Sequence, residues 1–120
     1  VNPYKLIQLF SNIILNAYQA MEGKGELRIR TSRNNDNLVV EITDTGPGIK
    51  PEHLRYLFTP FFSTKDSSEA AGLGLYICKN IVDELGGEIS VDSVVGKGTT
   101  FRIQLPPQQQ LNPSTATTKQ

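Results

Sequence analysis

The fold class predicted by this sequence is α+β: a two-layer α/β sandwich with three main helices over a mixed, largely antiparallel sheet. Two observations carry that reading. Stretches with apolar residues every three or four positions are separated by paired alternating stretches, in the order helix, strand, strand, helix, loop, helix, strand, strand. Amphipathic helices of this kind must bury their apolar stripes on something, and the alternating strands offer a sheet face to cover.

Asn2-Pro3 reads as a helix start, because Asn caps a first-turn amide and Pro at N1 lacks only an amide that would be unpaired anyway. Leu6, Phe10, Ile13, Ala17 and Met21 then form one stripe, with Gln8, Asn12, Asn16 and Gln19 placed roughly opposite it, where solvent exposure would account for each amide. Gly23 and Gly25 are expected to end this helix. Glu26 to Ser32 and Asn37 to Asp44 alternate as strands, joined by a tight polar turn at Asn34-Asn35-Asp36-Asn37. Pro51-Glu52 opens a short helix through about Leu57.

Residues 63–71 are small, polar and aperiodic, which reads as a mobile loop. From Gly72 to Leu85 helical periodicity returns, with Leu73, Ile77, Ile81 and Leu85 as the apolar face and Tyr76, Lys79 and Asp83 outward, until Gly86-Gly87 stops it. Glu88 to Ser93 and Thr99 to Leu105 are the last two strands, turned by Gly96-Lys97-Gly98. Residues 1–106 are therefore expected to form one domain, and the Gln-, Ser- and Thr-rich residues 107–120 a disordered tail. Arg28, Arg30, Glu41 and Thr43 imply that the far face of the sheet is wet or meets another domain.

Composition excludes several classes. In 120 residues, twelve basic and twelve acidic side chains cancel, which removes a global field for nucleic acid or an anionic membrane surface. The single cysteine allows no intrachain disulfide framework, and there is no long apolar run or secretory pattern. A reducing, cytoplasmic setting follows for these residues, although a domain excised from a membrane-anchored parent would look the same.

Chemistry concentrates around the glycines. Asp44 stands where a strand gives way to Thr45-Gly46-Pro47-Gly48; its carboxylate can accept from the exocyclic amine of adenine or simply cap the turn. Gly46 and Gly48 suit positive φ or the close approach of a flat ring. Gly72-Leu73-Gly74-Leu75 opens a helix, whose free amides can receive phosphate oxygens, but it is neither a P-loop nor a dinucleotide fingerprint. Asn16 carries an amide oxygen suited to a hard cation, and Lys65 is a flexible charge within reach of phosphates or of solvent alone. His53 has no cysteine or second histidine near it in sequence and carries no metal or triad role.

These segments together resemble the catalytic, ATP-binding domain of sensor histidine kinases. Asn12-Ile13-Ile14-Leu15-Asn16-Ala17 is similar to the N box and Asp44-Thr45-Gly46-Pro47-Gly48-Ile49 to the first glycine box. Leu57 to Lys65 resembles the F box, Gly72-Leu73-Gly74-Leu75 the second glycine box, and Gly96-Lys97-Gly98-Thr99 the last. The resemblance covers residues 2–106 in family order and implies the Bergerat sandwich, with ATP and Mg2+ as cofactors.

It further implies Asn16 for magnesium, Asp44 for the adenine amine, Gly46, Gly48 and Ile49 around the adenine, and Thr99 beside Asp44. Lys65, Gly72, Leu73, Gly74 and Leu75 would serve the phosphates, and Asn12, Gln19 and Phe58 complete the implied nucleotide set. The partners implied are a phosphoacceptor and dimerisation domain of the same parent, a homodimeric parent, and a response regulator.

Two departures stand out. Ala70 stands at the first glycine of a Gly-x-Gly-x-Gly pattern completed by Gly72 and Gly74, which is expected to make the mobile loop, the implied lid over the nucleotide, slightly stiffer and to retain binding. In the related gyrase, Hsp90 and MutL ATPases a glutamate four residues before the metal-binding Asn activates water; Asn12 stands there, and an amide cannot take a proton at neutral pH. Transfer to protein is therefore favoured over hydrolysis. An anti-sigma-type serine kinase, or a nucleotide-gated interaction module without transfer chemistry, are the competing readings.

Overall fold

A computed structural model of the chain describes residues 3–59 and 74–107. Three helices, α1 (Pro3–Ala20), α2 (Pro51–Leu54) and α3 (Gly74–Glu84), accompany strands β1 (Leu27–Asn34), β2 (Asn37–Asp44), β3 (Glu88–Val94) and β4 (Gly98–Leu105). The strands form one sheet in the order β1-β2-β4-β3. All three pairings are antiparallel, so among the described residues the sheet has no parallel component. The expected two-layer sandwich is thus present, built from two hairpins.

Register explains why one face is covered. Val40 pairs with Ile103 and Ile42 with Phe101, and all four are buried, because directly opposed residues share a face. Leu9 and Ile13 of α1 and Cys78, Ile81 and Val82 of α3 close over them in one cluster. Phe58 meets Phe101 edge to face, with ring centroids 6.3 Å apart. The opposite face carries Arg30, Glu41 and Arg102 side by side across β1, β2 and β4, as the polar pattern predicts. β1 is exposed along almost its whole length, and its arginines make it a poor template for edge pairing.

Several details differ from the sequence reading. Leu9 is fully buried and turns the apolar face of α1 toward the asparagines: Asn12 and Asn16 are half-buried at its margin, while Gln8 and Gln19 are exposed as expected. The helix ends through Glu22, which takes a left-handed φ of 56° and lets the Gly23 amide bond back to the Tyr18 carbonyl at 3.2 Å. The cap is therefore one residue earlier than the glycine. α2 has only four residues, since the chain beyond it tightens into three-residue turns: Tyr56 bonds to His53 and Leu57 to Leu54.

The buried face of α3 is Leu75, Cys78, Ile81 and Val82, with Ile77 and Leu85 at its margin. This face is rotated from the predicted one. Tyr76 and Lys79 are half-buried, though Lys79 still reaches Asp83 at 2.7 Å along the outer surface. The expected loop at 63–71, with Lys65, Gly72 and Leu73, and residues 108–120 of the tail, lie outside the described residues. No helix among the described residues is long and apolar enough to cross a membrane.

Candidate functional site

The apolar core ends abruptly at one end of the sheet. Ile29, Ile42, Phe101 and Val91 form one row across the four strands, and the next row on the same face is Leu27, Asp44, Thr99 and Ser93. Asp44 and Thr99 are 4% and 6% exposed, the only buried polar or charged residues among those described. Such burial is costly without partners, so the row's hydrogen bonds decide what it is for.

Ser93 is fully engaged. Its Oγ accepts from the Ile49 amide at 2.7 Å and lies 3.0 Å from the Gly98 carbonyl, which can only accept. The single hydroxyl proton of Ser93 therefore goes to Gly98, and the 2.8 Å contact with Thr99 is a bond donated by Thr99 Oγ1. Thr99 consequently turns only lone pairs outward.

Asp44 is left incomplete. Its Oδ1 accepts from the Gly46 amide at 2.8 Å, but Oδ2 has no hydrogen bond and the carboxylate no ion pair among the described residues. The turn-cap role anticipated for Asp44 uses one oxygen; the other is an acceptor that a donor from outside the protein, such as an exocyclic amine, can match. Leaving a buried polar atom unmatched costs about 1–3 kcal/mol, a cost that a bound donor removes.

Two loops form the wall beside it. The Gly96 amide bonds to the Pro47 carbonyl at 2.8 Å, locking the loop after β2 to the β3–β4 turn. Gly48, with φ of 81°, packs so tightly on that turn that a Cβ would sit 2.9 Å from the Val95 Cα. Its smallness thus serves protein packing here. Gly46 has no positive φ, and a Cβ there would lie 3.1 Å from Asp44 Oδ1. At Gly98, φ is 141° and a Cβ would fall inside the Asp44 carbonyl oxygen, so glycine alone permits β4 to pair at this point.

The other anticipated residues are placed as follows. Asn12 and Asn16 lie one turn apart on the half-buried margin of α1, and Gln19 is exposed. Gly74 begins α3, so its turn carries amides without intrahelical partners. Leu75 and Phe58 bury their side chains in or against the core, and only the Leu75 backbone is available to a ligand. Ile49 likewise leans on the core with its amide committed to Ser93. The sequence reading missed Ser93.

Asn12 contacts Cys78 across the α1–α3 interface. Burial pushes the Cys78 thiol from its ordinary 9.0 up to about 12, partly opposed by the Asn12 hydrogen bond. Its Sγ donates to the Leu9 carbonyl at 3.4 Å. Because folding holds this thiol protonated, its contribution to stability is complete below pH 9.0 and is lost as pH rises toward about 12. We expect negligible reaction with a thiol reagent at pH 8 in the native state, full reaction on unfolding, and loss of this alkaline decline in Cys78→Ala, all readable by denaturant titration across pH.

Among the described residues no group of three or more His, Cys, Asp or Glu side chains is placed to hold a metal. A magnesium ion brought in by a triphosphate needs only one or two protein oxygens, and one Asn carbonyl fits that demand. A separate cavity of about 250 Å³, lined by Leu6, Leu38, Leu85, Leu105, Pro106, Pro107 and Asp36, lies at the far end of β2 and β4. Its lining offers a phosphate no cation.

Comparison with known proteins agrees with this geometry. Residues 1–109 match the family model described as histidine kinase-, DNA gyrase B- and HSP90-like ATPase. The chain is 39% identical over 106 residues to the sensor histidine kinase ZraS of Salmonella typhimurium, covering 88% of this chain but 22% of that protein. Among solved structures it is similar to the mycobacterial sensor histidine kinase MprB, with a TM-score of 0.79 and 30% identity over 88% of this chain and 74% of the other. A nucleotide-free form of the catalytic domain of histidine kinase ThkA gives 0.75 and 30%, covering 88% and 67%.

Proposed function

The chain belongs to the histidine kinase-, DNA gyrase B- and HSP90-like ATPase family, and from that premise we propose that it binds ATP with Mg2+ and passes the γ-phosphoryl to a histidine on a separate phosphoacceptor and dimerisation domain. The observation that carries the binding half is the buried Asp44 carboxylate with one oxygen unmatched. The transfer half is supported by the likeness to sensor histidine kinases and by Asn12, which supplies an amide where the hydrolytic relatives use a base.

In this reading Asp44 accepts the adenine amine and Thr99 lines the same pocket, while Gly46, Gly48 and Ile49 shape its wall through their ties to the β3–β4 turn. Gly74 and the Leu75 backbone direct amides at the phosphates, assisted by Gly72, Leu73 and Lys65. Asn16 holds magnesium, which neutralises charge on the phosphates when bound. Asn12, Gln19 and Phe58 border the site. Transfer makes an N–P bond to the acceptor imidazole and breaks the bond from the γ-phosphorus to the bridging oxygen, so the protein's part is placement and electrostatics.

Because the chain spans 22% of ZraS, the acceptor histidine is assigned to the remainder of a longer parent. That parent works as a homodimer and hands the phosphoryl to a response-regulator aspartate. We place these residues on the cytoplasmic side, whether or not the parent is membrane-anchored.

The test is incubation with γ-labelled ATP, magnesium and the parent's acceptor domain. Acid-labile label on a histidine is expected, with phosphate release at background when the acceptor is omitted; phosphoserine or no protein-bound label would overturn the reading. Asn16→Ala is expected to weaken ATP binding about ten-fold in magnesium, roughly one metal-ligand contact, and to leave affinity in EDTA within about two-fold. Titration calorimetry under both conditions checks it.

A further inference from the structure

Met21 is the sole methionine of the chain and ends the apolar stripe read along α1, one residue past the helix. It is half-buried, yet among the described residues neither the core cluster nor the side chains packed on it include Met21. Its contacts lie on the turn that follows β2. The Thr45 hydroxyl donates to Met21 Sδ at 3.7 Å. That hydroxyl oxygen accepts from the Glu26 amide at 2.9 Å, which leaves its one proton for the thioether. One residue on, a Cβ at Gly46 would lie 3.3 Å from Met21 Cγ. Gly25 closes the other side: a Cβ there would fall 2.6 Å from Met21 Sδ and 2.7 Å from Thr45 Oγ1. The Met21 backbone is fixed as well, its amide bonded to the Ala17 carbonyl at 3.0 Å and its carbonyl to the Lys24 amide at 3.0 Å.

We infer that Met21 is a positioning residue for the Asp44 carboxylate, acting through Thr45 and Gly46 to set the direction in which the unmatched oxygen of Asp44 faces the nucleotide base. The chain of contacts is short. Met21 Cγ supports Gly46, and the Gly46 amide donates to Asp44 Oδ1 at 2.8 Å. Hydrogen bonds weaken steeply as their angle closes, so a turn free to shift would carry the carboxylate out of line with an incoming amine. An unbranched, adaptable side chain suits the place, because the gap between a helix end and a turn is irregular. The hydroxyl–sulfur bond is the smaller part, since Thr45 is exposed and solvent can take its proton. The larger part is the volume that Met21 fills beside Gly46.

The inference rests on the proposed ATP reading and deepens it. The probes are ATP and purine riboside triphosphate, which lacks only the exocyclic amine. In magnesium, the wild-type domain is expected to hold ATP roughly ten-fold or more tighter than the analogue. Met21→Ala is expected to lower ATP affinity about ten-fold and to leave the analogue within about two-fold, because only ATP uses the aligned oxygen. Met21→Leu restores the volume and is expected to stay within about three-fold of wild type for both. Titration calorimetry reads these affinities. Equal weakening of both nucleotides in Met21→Ala would mark a merely structural residue and overturn the inference, as would no change in either. Wild-type protein that binds neither nucleotide, or both alike, would instead remove the base-reading role of Asp44 and the inference with it. A second measurement needs no substitution: methyl-13C labelling of methionine gives a single signal, and ATP is expected to displace it about twice as far as the analogue does, or more. Equal displacement by the two, or none, would also overturn the inference.

Discussion

Asp44→Asn is expected to weaken ATP binding roughly 30- to 150-fold, about 2–3 kcal/mol, without lowering the stability of the free domain. Asp44 is 4% exposed, has no ion pair among the described residues, and spends one carboxylate oxygen on the Gly46 amide. Asparagine can keep that bond through its own oxygen and removes a buried charge, so the unfolding midpoint should hold or rise. What it cannot keep is a second acceptor: an amide nitrogen facing an adenine amine sets donor against donor. The same change should narrow discrimination against GTP, whose ring oxygen accepts from an amide. Calorimetry with both nucleotides, alongside denaturant unfolding, separates a binding residue from a structural one. Lost affinity accompanied by a matching loss of stability would contradict the assignment.

Gly98→Ala is expected to destabilise the fold by about 3 kcal/mol or more, a drop in Tm on the order of 12 °C or greater for a domain of this size. Two penalties coincide there. The backbone has φ of 141°, which alanine resists, and the added methyl would enter the Asp44 carbonyl oxygen in the neighbouring strand. Relief requires β4 to separate from β2 at the row that holds Asp44 and Thr99, so ATP binding should fail with stability. Gly96→Ala provides the contrast: its φ of 85° is also unfavourable, but nothing lies within 4 Å of a Cβ there. A cost of about 1–2 kcal/mol from the backbone alone is expected. Thermal unfolding of both variants decides whether close approach or φ dominates.

Much of the fold is legible in the sequence, because strand alternation and turn chemistry are local. Asn37 to Asp44 is a strand as read, and Asn35-Asp36 is the two-residue turn the polar run implies. Helix phase was less legible. Omitting Leu9 from the stripe of α1 displaced its centre away from Asn12 and Asn16, whose half-burial is what makes them more than solvated amides. In α3 apolar residues occupy so much of the circumference that periodicity could not choose between a face of Ile81 with Leu75, Cys78 and Val82 and one of Ile81 with Ile77 and Leu85; packing against α1 and the sheet chose the first. Ser93 was recoverable in principle. Counting back through the Gly96 turn pairs it with Thr99, and the pairing of Thr99 with Asp44 then puts all three in one row.

The central claim is that nucleotide binds at the polar end of the sheet, and backbone amide NMR of the 120-residue chain tests it most directly. On titration with ATP and magnesium, the largest shift changes are expected at Gly46, Gly48, Ile49, Gly74, Leu75 and Thr99, with little change at Leu38, Leu85 and Leu105 around the apolar cavity. Changes centred on that cavity, or no saturable change anywhere, would contradict the account.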